Sequence, residues 1–230
     1  MKNIVIVGGT KGIGRQLVHL LADHNVYVIA RSPGDLTVNT NITFIEGDIL
    51  APAINLTSLP EVVDGLVYCP GSINLKPFHR FSEADFLNDC QVNFMGAVKI
   101  VQQLLPALKK AVAPSVLFFS TVAVQTGMPF HASIAAAKGA VEGLTRSLAA
   151  ELAPKIRVNC IAPSLVQTSL AEKLVNTPEK IEAGGKRHAL QRIGQPNDIA
   201  AMAEFLLSDK AGWITGQVLH IDGGMSTLKV

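Results

Sequence analysis

The segment GGTKGIG, residues 8–14, is the clearest candidate for chemistry in this sequence. It follows an apolar run that predicts a strand and precedes a pattern that predicts a helix. In that context Gly8 allows a tight turn, Gly12 lets the backbone approach a pyrophosphate, and Gly14 lets the helix pack closely on the sheet. The helix N-terminus adds free N–H groups and a partial positive charge. We therefore expect a phosphate-binding loop comprising Gly8, Thr10, Lys11, Gly12, Ile13 and Gly14.

A basic residue follows the second predicted strand, VYVIA, where an acidic residue would bind a ribose 2′-hydroxyl and favour NAD. The residue is Arg31, followed by Ser32, and a guanidinium binds a 2′-phosphate through paired charge-assisted bonds. Lys11 adds a second positive charge, so the sequence predicts NADP(H) in preference to NAD(H). The alternative is that Arg31 is a solvated charge at the strand end. Asp48, past the third predicted strand, is placed to contact the adenine end, or to form an Asx turn.

Short apolar runs alternate with helical patterns along the whole chain, and these elements must position the loop. The runs cover residues 3–8, 26–30, 42–47, 65–71, 115–121, 156–163 and 216–224. Such alternation predicts a single Rossmann-type α/β domain over residues 1–230, with a mostly parallel, doubly wound sheet of about seven strands and helices on both faces. Only residues 48–64 join the third and fourth strands, which predicts a shortened helix or an irregular strap carrying Pro52 and Pro60.

The composition excludes several functional classes. The 230 residues are 48% hydrophobic and 17% charged with a net charge of +2, which favours a compact globule over a nucleic-acid or membrane-surface binder. No run approaches the ~20 apolar residues of a membrane span. Cys69, Cys90 and Cys160 are predicted to be free thiols in a reducing compartment, so a cytoplasmic location is expected. The six histidines show no metal-ligand spacing, and no metal site is expected.

Further motifs span almost the whole chain. They are YCPG (68–71), VNFMG (92–96), FSTVA (119–123), AAAKGAVEGL (135–144), RVNCIAPSLVQT (157–168) and ITGQVLHIDGG (214–224). Together with the glycine loop, the chain resembles the short-chain dehydrogenase/reductase family. The resemblance implies an oxidoreductase that uses a nicotinamide cofactor on a small carbonyl or alcohol substrate. It also implies cofactor contacts from Gly71, Lys138, Pro163, Val166 and Thr168.

The family's active site is only partly matched. In the family a tyrosine exchanges a proton with the substrate oxygen, a lysine lowers the tyrosine pKa and binds ribose, a serine polarises the carbonyl, and an asparagine holds a water. The resemblance places Lys138 and Asn93 in these roles, with Thr121 in the serine's place, thirteen residues before Ile134. Ile134 occupies the tyrosine's place and has no ionisable proton. Ser120 is expected to point away from Thr121, because strand side chains alternate.

Three interpretations of Ile134 remain open. The first is loss of the acid, which leaves a catalytically weak NADP(H)-binding protein with a regulatory or scaffolding role. The second is relocation to His131, seven residues before Lys138, where the related enoyl-thioester reductases keep their tyrosine. A histidine exchanges protons near neutral pH, although His131 is otherwise an ordinary loop residue before a helix. The third is a water relay through Asn93, Lys138 and Thr121.

The resemblance also has implications for the lid and for assembly. Residues 168–190 correspond to the family's mobile substrate lid, with a plain pair of surface helices as the alternative. The helix that carries Lys138 and the helix that follows Asn93 pair across a subunit interface in the family. A homodimer or homotetramer is therefore expected, with no nucleic-acid or membrane partner. The sequence does not identify the substrate.

Overall fold

All seven strands form one parallel sheet in the computed structural model, which describes residues 1–229. The strands are β1 Asn3–Val7, β2 Asn25–Ala30, β3 Ile42–Glu46, β4 Gly65–Tyr68, β5 Ser115–Phe119, β6 Arg157–Pro163 and β7 Val218–Ile221. Their order is β3-β2-β1-β4-β5-β6-β7, and each neighbouring pair is parallel. The predicted single Rossmann-type α/β domain is confirmed, and the described sheet is wholly rather than mostly parallel.

Helices cover both faces of the sheet. They are α1 Gly12–Leu20, α2 Glu83–Cys90, α3 Gly96–Lys110, α4 Ala123–Thr126, α5 Ala132–Leu152, α6 Glu172–Val175, α7 Pro178–Gly185 and α8 Pro196–Leu207. Side chains of α1 and α8 fill one apolar core against the sheet, and side chains of α3 and α5 fill the other. Both faces of each central strand are buried, which explains the continuous apolar runs of the sequence. Within residues 1–229, no helix combines the length and apolarity that a membrane crossing requires.

The strand order reverses at β1, which has β2 on one side and β4 on the other. The loops that leave the carboxyl ends of β1 and β4 diverge at this point and open a crevice, where ligands bind in doubly wound sheets. The glycine loop follows β1, and Cys69–Ser72 follow β4. The fold thus brings two of the predicted motifs to the two sides of one crevice.

The connection between β3 and β4 contains no helix, so of the two predicted forms the irregular strap is the one observed and the shortened helix is not. Ile54 and Val63 of the strap are buried in the core where a crossover helix would pack. Lys99 of α3 fastens the strap, because its Nζ donates hydrogen bonds to the carbonyl oxygens of Ile49 at 3.1 Å and Ala51 at 2.5 Å.

Candidate functional site

The glycine loop has the geometry that a phosphate site requires. Gly8 and Gly12 adopt left-handed backbone conformations, with φ of 79° and 52°. A Cβ on Gly14 would clash with the carbonyl oxygen of Gly8, so helix α1 can begin this close to β1 only with glycine there. Lys11, the N-cap of α1, makes no side-chain capping bond, and the N-terminal N–H groups stay available for an anion. The loop therefore fits the pyrophosphate of a dinucleotide.

A cavity of about 550 Å³ opens at the carboxyl edge of the sheet and gathers most of the predicted site residues. Those that line it are Gly8, Lys11, Gly12, Ile13, Gly14, Gly71, Thr121, His131, Lys138, Pro163, Val166 and Thr168. Thr10, Arg31, Ser32, Asp48 and Asn93 do not line it. These residues lie at or just after the carboxyl ends of β1, β4, β5 and β6 and near the starts of α1 and α5, so segments that are distant in sequence meet in one place.

The predicted ribose and adenine contacts lie beyond the cavity, after β2 and β3. Arg31 and Ser32 are exposed at the end of β2, which lies next to β1. Asp48 forms the Asx turn that was its alternative interpretation, because its Oδ1 accepts a hydrogen bond from the Leu50 N–H at 2.9 Å. Its contact with adenine stays a prediction.

Lys138 is a buried cation in the wall of the cavity. Its side chain projects from α5, and Nζ donates a 2.8 Å hydrogen bond to the carbonyl oxygen of Phe119. Burial lowers the lysine pKa from 10.5 to about 8, although thiols at Cys160 and Cys69 act in the opposite direction. Ile134 lies one turn earlier on the same helix, is 5% exposed and presents an apolar surface to the cavity.

The hydroxyl groups of Ser120 and Thr121 have different partners, although both residues line the cavity. Ser120 Oγ donates a 2.7 Å hydrogen bond to the buried carboxylate of Glu142 on α5. Thr121 Oγ1 accepts a 3.3 Å hydrogen bond from the Ala123 N–H, which leaves its own hydrogen free to donate. Thr121 is therefore the hydroxyl that can polarise a substrate oxygen.

Asn93 lies behind the cavity wall in a short π-helical turn, Gln91–Met95, and has no exposed surface. Such turns occur frequently at functional sites. Its Nδ2 donates 2.8 Å hydrogen bonds to Ser72 Oγ and to the carbonyl oxygen of Asp89. Its Oδ1 has no partner among residues 1–229. A Cβ built on Gly71 would lie 3.3 Å from this Oδ1 and 3.6 Å from Lys138 Nζ, so the glycine leaves the space between these two polar atoms open.

His131 is the N-cap residue of α5 and is one of the residues that line the cavity. Nδ1 lies 2.7 Å from the Pro129 carbonyl oxygen, so this nitrogen carries a proton and donates it. Nε2 has no protein partner in the described part of the chain. Phe130, immediately before, has φ of 70°, a conformation that is strained for an aromatic residue and that occurs preferentially at functional sites.

Neither tyrosine of the chain lines the cavity. Tyr68 points into the core beneath α3, where its hydroxyl donates a 2.5 Å hydrogen bond to the Val92 carbonyl oxygen. Burial raises the pKa of this phenol well above its usual value. Tyr68 therefore offers no acidic group to the cavity.

Two hydrogen-bonded groups of polar side chains were not predicted from the sequence. Asp89, Ser72 and Ser133 form a hydrogen-bonded cluster beside Asn93. The available signals were an aspartate four residues before Asn93 and a serine directly after Gly71. The other grouping joins Ser164 to the buried His188, whose Nε2 lies 2.8 Å from Ser164 Oγ.

Segment 168–190 covers one side of the cavity. It contains α6 and α7, and it contributes Leu170, Lys173, Leu174, Lys180 and Ala183 to the cavity wall. The contact between Ser164 and His188 ties the end of this segment to the carboxyl end of β6. The segment therefore lies where a substrate lid would lie, and its mobility stays a prediction.

The chain is similar to known proteins over almost its whole length. A family model described as enoyl-(acyl carrier protein) reductase matches residues 45–226. The chain is 32% identical to the 3-oxoacyl-(acyl-carrier-protein) reductase FabG of Thermotoga maritima, over 97% of each chain. It is 30% identical to a tropinone reductase homolog of Arabidopsis thaliana, over 98% of this chain and 92% of the relative. The solved structure "ElxO with NADP Bound" is 26% identical with a TM-score of 0.86, covering 99% of this chain and 100% of that one.

Proposed function

The chain belongs to the short-chain dehydrogenase/reductase family, and we propose that it is an NADP(H)-dependent oxidoreductase that interconverts a carbonyl and an alcohol, with His131 as the proton donor. One observation carries the proposal. The glycine loop, Thr121, His131 and Lys138 line the same cavity at the switch point of the sheet. The relatives are oxidoreductases of this family, which supports the reaction type.

The charges beside the glycine loop support NADP(H) as the cofactor. Arg31 and Lys11 are both exposed cations, and neither forms an ion pair among residues 1–229. They are therefore available to a 2′-phosphate. A solved relative with NADP bound adds support. A bound nicotinamide would supply the hydride, and the free N–H groups of α1 would hold the pyrophosphate.

The side chains of the cavity supply the rest of the chemistry. Thr121 donates its hydroxyl hydrogen to the substrate carbonyl oxygen. His131, held at Nδ1 by the Pro129 carbonyl, releases a proton from Nε2 toward that oxygen and becomes the neutral imidazole. Lys138, whose pKa burial lowers to about 8, can exchange protons in the working pH range and stabilise the ribose. General acid catalysis of this kind contributes about 10²–10⁴-fold.

A water relay is the competing source of the proton. The unpartnered Asn93 Oδ1 and Lys138 Nζ flank the open space beside Gly71, and a water there would have two polar partners. A proton would then pass from this water, by way of the Thr121 hydroxyl, to the substrate oxygen, and His131 would have no role. This route is expected to be slow unless the water is held well.

A second candidate function is cofactor binding with little turnover, in a regulatory or scaffolding role. The observation that favours it is Ile134, which is 5% exposed and presents only carbon to the cavity. The glycine loop and Lys138 would serve such a protein equally well.

The cavity wall favours a substrate with an apolar body. Its apolar lining includes Ile73, Leu75, Met128, Leu165, Leu174 and Met225. Lys173 and Arg187 add positive charge on the lid side and form no ion pair within the described residues. A useful panel of test substrates therefore contains aliphatic and aryl ketones together with 3-oxoacyl and 2-enoyl thioesters. The 3-oxoacyl thioesters follow from the name of the Thermotoga maritima relative, and the 2-enoyl thioesters follow from the description of the family model.

The test measures NADPH oxidation across this panel for the wild type, His131→Ala and Ile134→Tyr, with the exposed His79→Ala as a matched control. We expect His131→Ala to lower kcat by about 10²–10⁴-fold with unchanged NADPH affinity, and His79→Ala to have no effect. Unchanged activity in His131→Ala would favour the water relay. Activity that appears only in Ile134→Tyr would favour the cofactor-binding role. No NADPH binding by fluorescence titration would exclude all three interpretations.

We also propose a homodimer that pairs the outer faces of α3 and α5. Ala136 and Gly143 are exposed small residues on α5 and would allow the two helices of a pair to approach closely. Light scattering coupled to size-exclusion chromatography tests this assembly, and a mass of 24.4 kDa, that of one chain, would contradict it.

A further inference from the structure

Asp89 is a carboxylate buried without a cation. It lies on α2 with no exposed surface, and its oxygens accept hydrogen bonds from Ser72 Oγ at 2.5 Å and Ser133 Oγ at 2.6 Å. No lysine or arginine among residues 1–229 forms an ion pair with it. Burying an unpaired carboxylate is costly, and an apolar side chain would fill the same space at lower cost. The position of Asp89 therefore calls for a specific role.

The hydrogen bonds of Asp89 have a fixed direction. Asp89 Oδ1 accepts from Ser72 Oγ and Oδ2 accepts from Ser133 Oγ, at distances typical of hydrogen bonds to a carboxylate. Each serine thus gives its one hydroxyl hydrogen to Asp89. The oxygen of Ser72 can then only accept, and it accepts from Asn93 Nδ2 at 2.8 Å.

The direction of these bonds determines which way the amide of Asn93 faces. The carbonyl oxygen of Asp89 also accepts from Asn93 Nδ2, at 2.8 Å. With the amide nitrogen held by two acceptors, Oδ1 must face away from them, toward the space beside Gly71. A Cβ on Gly71 would contact both Asn93 Oδ1 and Lys138 Nζ, at 3.3 and 3.6 Å, so this oxygen faces the lysine side of the site.

We propose that Asp89 is a positioning residue, which acts through Ser72 to hold the side-chain carbonyl of Asn93 toward Lys138. The catalytic consequence rests on the proposed function, in which Asn93 and Lys138 serve the reaction. The other bond of Asp89, to Ser133, leads to the first turn of α5 and does not touch Asn93. The two serines therefore separate a positioning role from a purely structural one.

Three single substitutions make the test. Asp89→Asn keeps the size and the backbone carbonyl but cannot accept from both serines. Ser72→Ala removes the link to Asn93, and Ser133→Ala is the matched control that removes the other bond of Asp89. We expect the first two to lower kcat by about 10- to 100-fold with KM and NADPH affinity unchanged, and Ser133→Ala to resemble the wild type. The double variant of Asp89→Asn with Ser72→Ala is expected to be no slower than the slower single variant.

A second readout does not depend on turnover. In protein labelled with ¹⁵N-asparagine, the side-chain amide hydrogens of Asn93 are expected to exchange slowly with solvent in the wild type and in Ser133→Ala. They are expected to exchange faster in Ser72→Ala and Asp89→Asn. The proposal is overturned if Ser72→Ala matches the wild type while Ser133→Ala shows the faster exchange. If the wild type oxidises no NADPH, the proposed function fails, but the exchange pattern still decides whether Asp89 positions Asn93. If Asp89→Asn does not fold, the amide exchange of Asn93 in Ser72→Ala and Ser133→Ala decides whether the proposal stands.

Discussion

Replacement of Lys138 by methionine tests the electrostatics of the site most directly. Burial lowers the lysine pKa from 10.5 to about 8 in the folded protein. Below pH 8 the side chain is charged in both the folded and unfolded states, and folding must bury that charge. Between pH 8 and 10.5 the unfolded state binds a proton that the folded state lacks, so the free energy of unfolding rises with pH through this group. The full shift corresponds to about 3 kcal/mol.

Methionine is similar in length to lysine and carries no charge, so the Lys138→Met variant lacks this pH dependence of the unfolding free energy. The difference in unfolding free energy between Lys138→Met and the wild type is expected to favour the variant most at pH 7. It is expected to shrink by about 2–3 kcal/mol by pH 10. The Phe119 carbonyl loses its partner in the variant, but it does so at both pH values and leaves the change with pH unaltered.

The assay is urea unfolding without cofactor, followed by far-UV circular dichroism because the single tryptophan, Trp213, is fully exposed and reports poorly on folding. Lys109→Met, at an exposed position on α3, is the matched control, and its difference from the wild type is expected to be the same at both pH values. An equal difference for Lys138→Met at pH 7 and pH 10 would refute the assignment of a buried, destabilising charge to Lys138.

Three further predictions concern the cofactor site and the thiols. Arg31→Ala is expected to weaken NADPH binding by about 10-fold or more and to leave NADH binding unchanged in fluorescence titrations, because a charge-assisted bond contributes about 1.5–3 kcal/mol; equal loss for both cofactors would contradict it. Gly14→Ala is expected to abolish NADPH binding through its clash with the glycine loop, whereas Gly143→Ala, with no neighbouring atom of its own chain within 4 Å, is expected to keep NADPH binding in the same titrations. Burial raises the pKa of Cys69 and Cys160 to about 12, so iodoacetamide at pH 8 is expected to alkylate at most one thiol per folded chain by mass spectrometry; a second label would contradict this.

The sequence predicted the fold well because its signals are local. Continuous apolar runs mark strands that are buried on both faces, and the structure places strands in all seven predicted segments. The shortness of segment 48–64 predicted a shortened helix or a strap, and the structure has the strap. Glycines 8, 12 and 14 predicted the tight turn from β1 into α1, since their backbone requirements follow from the residue type alone.

The site was only partly predictable. Its family positions placed Thr121, His131 and Lys138, all of which line the cavity. The role of His131 as proton donor stays a prediction, and so does the preference for NADP(H). Ser72 and Asp89 were missed, because a single serine or aspartate in a sequence gives no indication of its partner.

The sequence by itself determined the order of strands and helices along the chain, the glycine loop after β1 and the apolar residue at position 134. These properties depend on residues that are neighbours in the chain. Only the tertiary structure decided which way Asn93 faces, which serine Asp89 orders and how far burial lowers the Lys138 pKa. Ser72 and Ser133 lie 17 and 44 residues from Asp89 along the chain, and their hydroxyl groups meet one carboxylate only after α2, α5 and the loop after β4 have packed. The direction of a hydrogen bond and the cost of a buried charge depend on all the groups around them, and only the folded chain determines that environment.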